Sequence, residues 1–201
     1  MLYIAINVIL CLMSNGPENP NTLIDMAAAL HEHVGLYYDE IFLATAHVYP
    51  TLRIINNTTI LMRPKSDLLV GGLDDEGRPV VHLGTKGPLT QAVRDRIVRR
   101  MELPVPPLAK YDDLLMRIIF GHELGHVLQA DPEFENLFGT IDRRTYIPED
   151  NYLAYLYSDK EMNADYIAAC LVSSTDLGQK LAIPAPKFPP LQWRNWAVTH
   201  H

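Results

Sequence analysis

The residues with the clearest chemical use are His122-Glu123-Leu124-Gly125-His126, within residues 112–130. On a helix the two histidines stand one turn apart, at i and i+4. Their imidazoles therefore leave the same face and can grip one metal ion. Glu123 lies between them and can reach a water on that ion without being a ligand. A zinc hydrolase needs this combination: side chains that hold the ion, an open position for water, and a carboxylate to take the water's proton. The five-residue pattern alone is only moderately specific.

A second acidic pair follows in Glu161-Met162-Asn163-Ala164-Asp165. Glu161 and Asp165 again have i, i+4 spacing, on a helix predicted over about 152–171. A catalytic zinc usually has three protein ligands plus water, and two histidines with one glutamate is a known set. Glu161 supplies the third ligand. Asp165, one turn later, can accept the free ring N–H of a ligating histidine and fix its tautomer. Without the upstream motif, the two carboxylates would read as a solvated helix face.

At these two motifs the chain resembles the gluzincin metallopeptidases, the thermolysin-like clan in which a glutamate is the third zinc ligand. The run Glu161-Met162-Asn163-Ala164-Asp165-Tyr166-Ile167-Ala168-Ala169 is most similar to the ImmA/IrrE type, small intracellular bacterial proteases. It is also similar to the Ste24/HtpX-type membrane peptidases, which carry transmembrane helices. The resemblance covers the two motif helices. It implies that His122, His126 and Glu161 bind Zn2+, that Glu123 is the general base, and that Asp165 supports a ligand from behind. It also implies a cytoplasmic setting and a protein or peptide substrate, such as a regulatory protein. No helix-turn-helix segment is evident, so a fused DNA-binding domain is not expected.

These residues need helices and a sheet to hold them. Asp112 or Asp113 can cap the zinc helix after the Pro-rich connector Leu103-Pro104-Val105-Pro106-Pro107. Leu115, Ile118 and Ile119 lead on to His122 and His126 at three- and four-residue steps, so the ligand face continues the buried face. Gly121 and Gly125, four apart, allow another element to approach closely. Asp131-Pro132 ends the helix. Upstream, Arg53-Ile54-Ile55 and residues 58–62 flank Asn56-Asn57, which can turn a hairpin. Leu68-Leu69-Val70 and residues 79–83 flank the turn formers Asp74-Asp75-Glu76-Gly77. The fold class expected is α+β: a small antiparallel sheet packed with helices, including a zincin-like active-site helix. Pro79 places its strand at an edge or a start. An edge strand beside the site can hold a peptide by strand addition. His82 sits in this region and reads as an exposed or packed strand histidine.

The 201 residues, 48% hydrophobic and 20% charged, suit one sizeable core and a single domain over 1–201 with a Pro-rich C-terminal tail. A net charge of −7 argues against general nucleic-acid binding, which needs a basic surface. Cys11 and Cys170 lie in apolar surroundings without metal-type spacing and read as buried free thiols. The apolar run 2–13 lacks a basic flank, no Lys or Arg occurring before Arg53. It is also too short to span a bilayer, and is expected to be a buried strand or helix. Residues 21–34 and 38–48 read as helices, with His31 and His33 at the surface of the first. Pro88 to Met101 reads as an amphipathic, locally basic helix. Residues 131–151 form a long loop that can shape a site. Tyr146, Tyr152, Tyr155 and Tyr157 cluster before Glu161, and a tyrosine O–H can stabilise an oxyanion. The pattern does not choose among them. Trp193 and Trp196 are expected to anchor an extended tail.

The mechanism this implies is metal-assisted amide hydrolysis, with Glu123 taking a proton from water and returning it to the leaving amine. Two other readings stay open. One is a zinc-stabilised interaction or regulatory module without turnover. The other is a metal-free scaffold that retains the motif.

Overall fold

The computed structural model describes residues 40–63, 69–84, 108–139, 155 and 158–187. Residues 40–48 are helical (α1) and are followed by a single 3-10 turn, Ile54–Asn57. Three strands come next: β1 (Thr59–Arg63), β2 (Leu69–Leu73) and β3 (Pro79–Gly84). The long helix α2 spans Leu108–Leu128, and the short helix α3 spans Phe134–Phe138. The second motif helix, α4, is Asp159–Ser174, and α5 is Asp176–Lys180.

The helix α2 starts directly after Pro107, a turn before the expected cap at Asp112 or Asp113. Leu108, Ala109 and Lys110 are strong helix formers, and proline suits the position where a helix begins. The helix stops at Leu128, where the chain tightens into i→i+3 bonds from Ala130 and Asp131 to the carbonyls of Val127 and Leu128, just ahead of Pro132. In α4 the start is later than the expected 152. Ser158 is its N-cap, and the Ser158 hydroxyl accepts the Glu161 N–H at 3.3 Å. Ser158-x-x-Glu161 is a capping-box sequence. Its carboxylate, however, turns toward the zinc-type motif on α2.

The sheet is small but mixed, which corrects the antiparallel expectation. Its order is β1-β3-β2, with β1 parallel and β2 antiparallel to β3. The β2–β3 hairpin forms where expected. Asp74 Oδ1 accepts the N–H groups of Glu76 and Arg78 at 3.0 and 2.8 Å, and Gly77 adopts a φ of 76° that suits glycine. The hairpin expected at Asn56-Asn57 does not form. Asp131 Oδ2 instead accepts the N–H groups of Arg53 and Ile54 at 2.7 and 2.8 Å. Those groups open the 3-10 turn and would otherwise lack partners. With that segment coiled, β1 has no hairpin mate and lies along β3. Pro79 does open its strand, but that strand is the middle one, and β2 is the strand beside α2.

The helix α2 is buried between β2 on one side and α4 on the other. Leu114, Leu115, Ile118, Leu124, Val127 and Leu128 are buried along it, with Ile60 and Val81 from the sheet and Met162, Ile167 and Leu171 from α4. Phe134 stacks on Phe138, which meets Tyr49 and Tyr166. Arg117 on α2 pairs with Glu40 on α1. Cys170 is a partly buried free thiol, as expected for that position. The loop expected over 131–151 instead holds the short helix α3 in its described part, where Phe134 and Phe138 are buried. Residues 140–151, and the readings of residues 2–34, Pro88 to Met101 and the C-terminal tail, lie outside the described residues.

Candidate metal centre

Two helices bring the motif residues together. Gly121 and Gly125 on α2 face Ala168 and Ala164 on α4. A Cβ on Gly125 would lie 2.8 Å from Ala164 Cα, and one on Gly121 would lie 3.0 Å from Ala168 Cα. Only glycine allows that approach, as the spacing suggested. It puts Glu161, in the first turn of α4, opposite both histidines. Anions are favoured at a helix N-terminus, so this is a good place for a buried carboxylate.

His122 Nε2 stands 3.3 Å from Glu161 Oε2, and His126 Nε2 stands 3.3 Å from Glu161 Oε1. The two Nε2 atoms are 3.1 Å apart, and the rings meet edge to face. A tetrahedral ion with ~2.0–2.1 Å bonds needs ligand atoms about 3.3 Å apart. The Nε2–Nε2 separation is close to that spacing, and each Nε2 reaches a different oxygen of the one Glu161 carboxylate at 3.3 Å. Glu161 Oε1 is buried and makes no hydrogen bond among the described residues, which leaves it available as a ligand. Two imidazoles and one carboxylate are also a donor set that suits zinc. Among the described residues, His122, His126 and Glu161 are the three-residue group able to hold a metal ion.

Asp165 and Glu123 stand around this group. Asp165 Oδ1 is 2.8 Å from His122 Nδ1. That contact directs the Nε2 of His122 toward Glu161 and identifies which histidine Asp165 serves. His126 Nδ1 is buried and finds no such acceptor among the described residues. Glu123 does not join the ligand group. It leaves α2 toward the sheet, and its Oε2 accepts the Gly71 N–H at 2.6 Å. Gly71 is the contact that sequence reasoning missed. A Cβ there would lie 1.8 Å from the Glu123 carbonyl oxygen, so only glycine lets β2 run this close to the helix. The signal was Gly71-Gly72 inside a strand-forming run, since strand glycine often marks close backbone approach.

The electrostatics follow from burial and pairing. Burial lowers the His122 pKa, but the hydrogen bond and charge of Asp165, helped by Glu161 and Glu123, push it up to about 10. Burial is the main influence on His126 and pulls it down, against the opposing effect of Glu161. Burial raises Glu123 to about 7, opposed by the charge of His122 and the Gly71 N–H. Burial would raise Glu161 too, but the two histidines outweigh it and hold the carboxyl well below the usual carboxylate range.

The structure thus brings His122, Glu123, His126, Glu161 and Asp165 into one place. It leaves His82 half-buried on β3, paired with Leu61 and Val70 and apart from the metal group. Tyr155 is exposed, and the other three candidate tyrosines lie outside the described residues. No protein-family model matches the chain, and no curated protein or solved structure matches it either.

Proposed function

We propose that the chain is a zinc-dependent metallopeptidase of the gluzincin type. In this reading His122, His126 and Glu161 hold the ion, Glu123 is the general base, and the substrate is a protein or peptide. The observation that carries it is the gathering of two imidazole nitrogens and one carboxylate within metal-ligating reach of one another, beside a buried carboxylate that is not one of them. Bound zinc supplies Lewis acidity, polarising a carbonyl and making water easier to deprotonate. Glu123 accepts a proton at the oxygen Gly71 leaves free, then returns it to the leaving amine. Burial raises the Glu123 carboxyl above the usual carboxylate range, which makes it a better proton acceptor.

A peptide fits better than a small molecule because of β2. The Gly71 N–H points away from β3, toward Glu123. By the alternation of an antiparallel pair, the main-chain groups of Leu69 and Leu73 point the same way. That edge can pair with an extended chain and lay its amide beside Glu123. No helix among the described residues is long and apolar enough to cross a membrane. A cytoplasmic setting and the ImmA/IrrE likeness belong to the same reading.

The test is Glu123→Gln, which keeps the shape and removes the base. Zinc content and thermal stability should stay near wild type. Hydrolysis should fall by at least ~100-fold, the lower end of what a general base supplies. New protein N-termini in cells expressing wild type, absent with the Gln variant, are the readout. Termini that appear equally with both proteins would contradict the mechanism.

A further inference from the structure

We propose that Gln129 is a positioning residue that sets the height of Glu161 beneath the two histidines. The inference rests on the metal-site reading above.

The helices α2 and α4 run antiparallel and meet in two rows. In one row Gly121 packs on Ala168 and Gly125 on Ala164, so four residues forward on α2 match four residues back on α4. The next step of that row is Gln129 opposite Lys160, and there packing gives way to a hydrogen bond. Gln129 Nε2 donates to the Lys160 carbonyl at 2.8 Å. The adjacent row holds the chemistry: His122 meets Asp165, and His126 meets Glu161. Gln129 therefore closes the row at the end nearest the third ligand.

The peptide unit it grips is the one that carries Glu161. The carbonyl of that unit belongs to Lys160 and is held by Gln129, the first residue past the end of α2. Its N–H belongs to Glu161 and is held by the Ser158 hydroxyl at 3.3 Å. Both ends of one rigid peptide plane are thereby tied, one of them to the helix that bears the histidines. The Gln129 side chain is buried, so water does not readily replace its bond. Sliding α4 along α2 would break this bond and move the Glu161 carboxylate away from both Nε2 atoms.

The test is a double-mutant cycle on zinc affinity, read by competition with a chromophoric chelator. The variants are Gln129→Met, Glu161→Gln and the two combined. Methionine keeps length and helix propensity but has no N–H to donate. Gln129→Met should weaken zinc binding by about 10- to 100-fold, as loss of a supporting partner does. Added to Glu161→Gln it should cost nothing further, because its effect passes through Glu161. Wild-type affinity in Gln129→Met, or a further tenfold loss in the double variant, would overturn the assignment. Gln129→Leu, which also has no donor and adds no charge, gives the same cycle, so poor folding of one variant leaves the other to decide. A wild-type chain that takes up no zinc in the same titration would sink the metal-site reading itself, and this inference with it.

Discussion

Asp165 is the residue whose role can be isolated most cleanly. Its carboxylate accepts from His122 Nδ1, so Asp165→Ala leaves that nitrogen without a partner and the imidazole without its orientation. The expected result is a folded protein whose zinc affinity falls by about 10- to 100-fold, measured by chelator competition beside a thermal melt. Unchanged affinity would return Asp165 to a structural role. At this scale the sequence was informative. Residue type and a four-residue step were enough to pick out His122, His126, Glu161 and Asp165, because a helix turns that step into a shared face. It could not say which histidine Asp165 serves. That depends on the antiparallel register of two helices distant in sequence, His122 and Asp165 being 43 positions apart. Nor did it reveal the partner of Glu123, since the Gly71 N–H comes from a strand 52 positions away.

At the scale of elements, the contact of α2 with α4 is the one the site depends on. Gly125→Val puts a branched side chain where even a Cβ meets Ala164 Cα at 2.8 Å. Overpacking of this kind typically costs about 1–3 kcal/mol, and here it should also separate Glu161 from the histidines. Thermal stability and zinc affinity should therefore fall together. A variant that melts lower but binds zinc as wild type would show that the ligands do not depend on this contact. The strong local signals were legible: the histidine helix, the second motif helix, and the hairpin at Asp74-Asp75-Glu76-Gly77. The missed elements were governed by distant partners. Asn56-Asn57 looks like a hairpin turn until Asp131 takes the N–H groups of Arg53 and Ile54. The helix α4 starts later than its periodicity suggests because Ser158 caps it by accepting the Glu161 N–H.

The described residues form one construction around α2. The mixed sheet lies against one side and supplies Gly71 to Glu123, while α4 lies against the other and supplies Glu161 and Asp165. Gly71 thus meets Glu123 on one side of the helix, and Glu161 and Asp165 meet the histidines on another. That division leaves Glu123 outside the ligand set and gives the proposed chemistry its shape. The α+β class was legible from strand-forming runs followed by helical periodicity. The parallel pairing of β1 with β3 was not, because it is decided by the coiling of residues 54–57 and not by the pattern of the strands themselves. The central claim is that His122, His126 and Glu161 hold one zinc ion. Zinc K-edge X-ray absorption on protein purified without added metal tests it most directly. The account expects about one zinc per chain, bound by four nitrogen or oxygen atoms at ~2.0–2.1 Å, with the outer-shell scattering of two imidazoles and no sulfur. A chain that carries no zinc, or a spectrum with sulfur ligands or without two imidazoles, would contradict it.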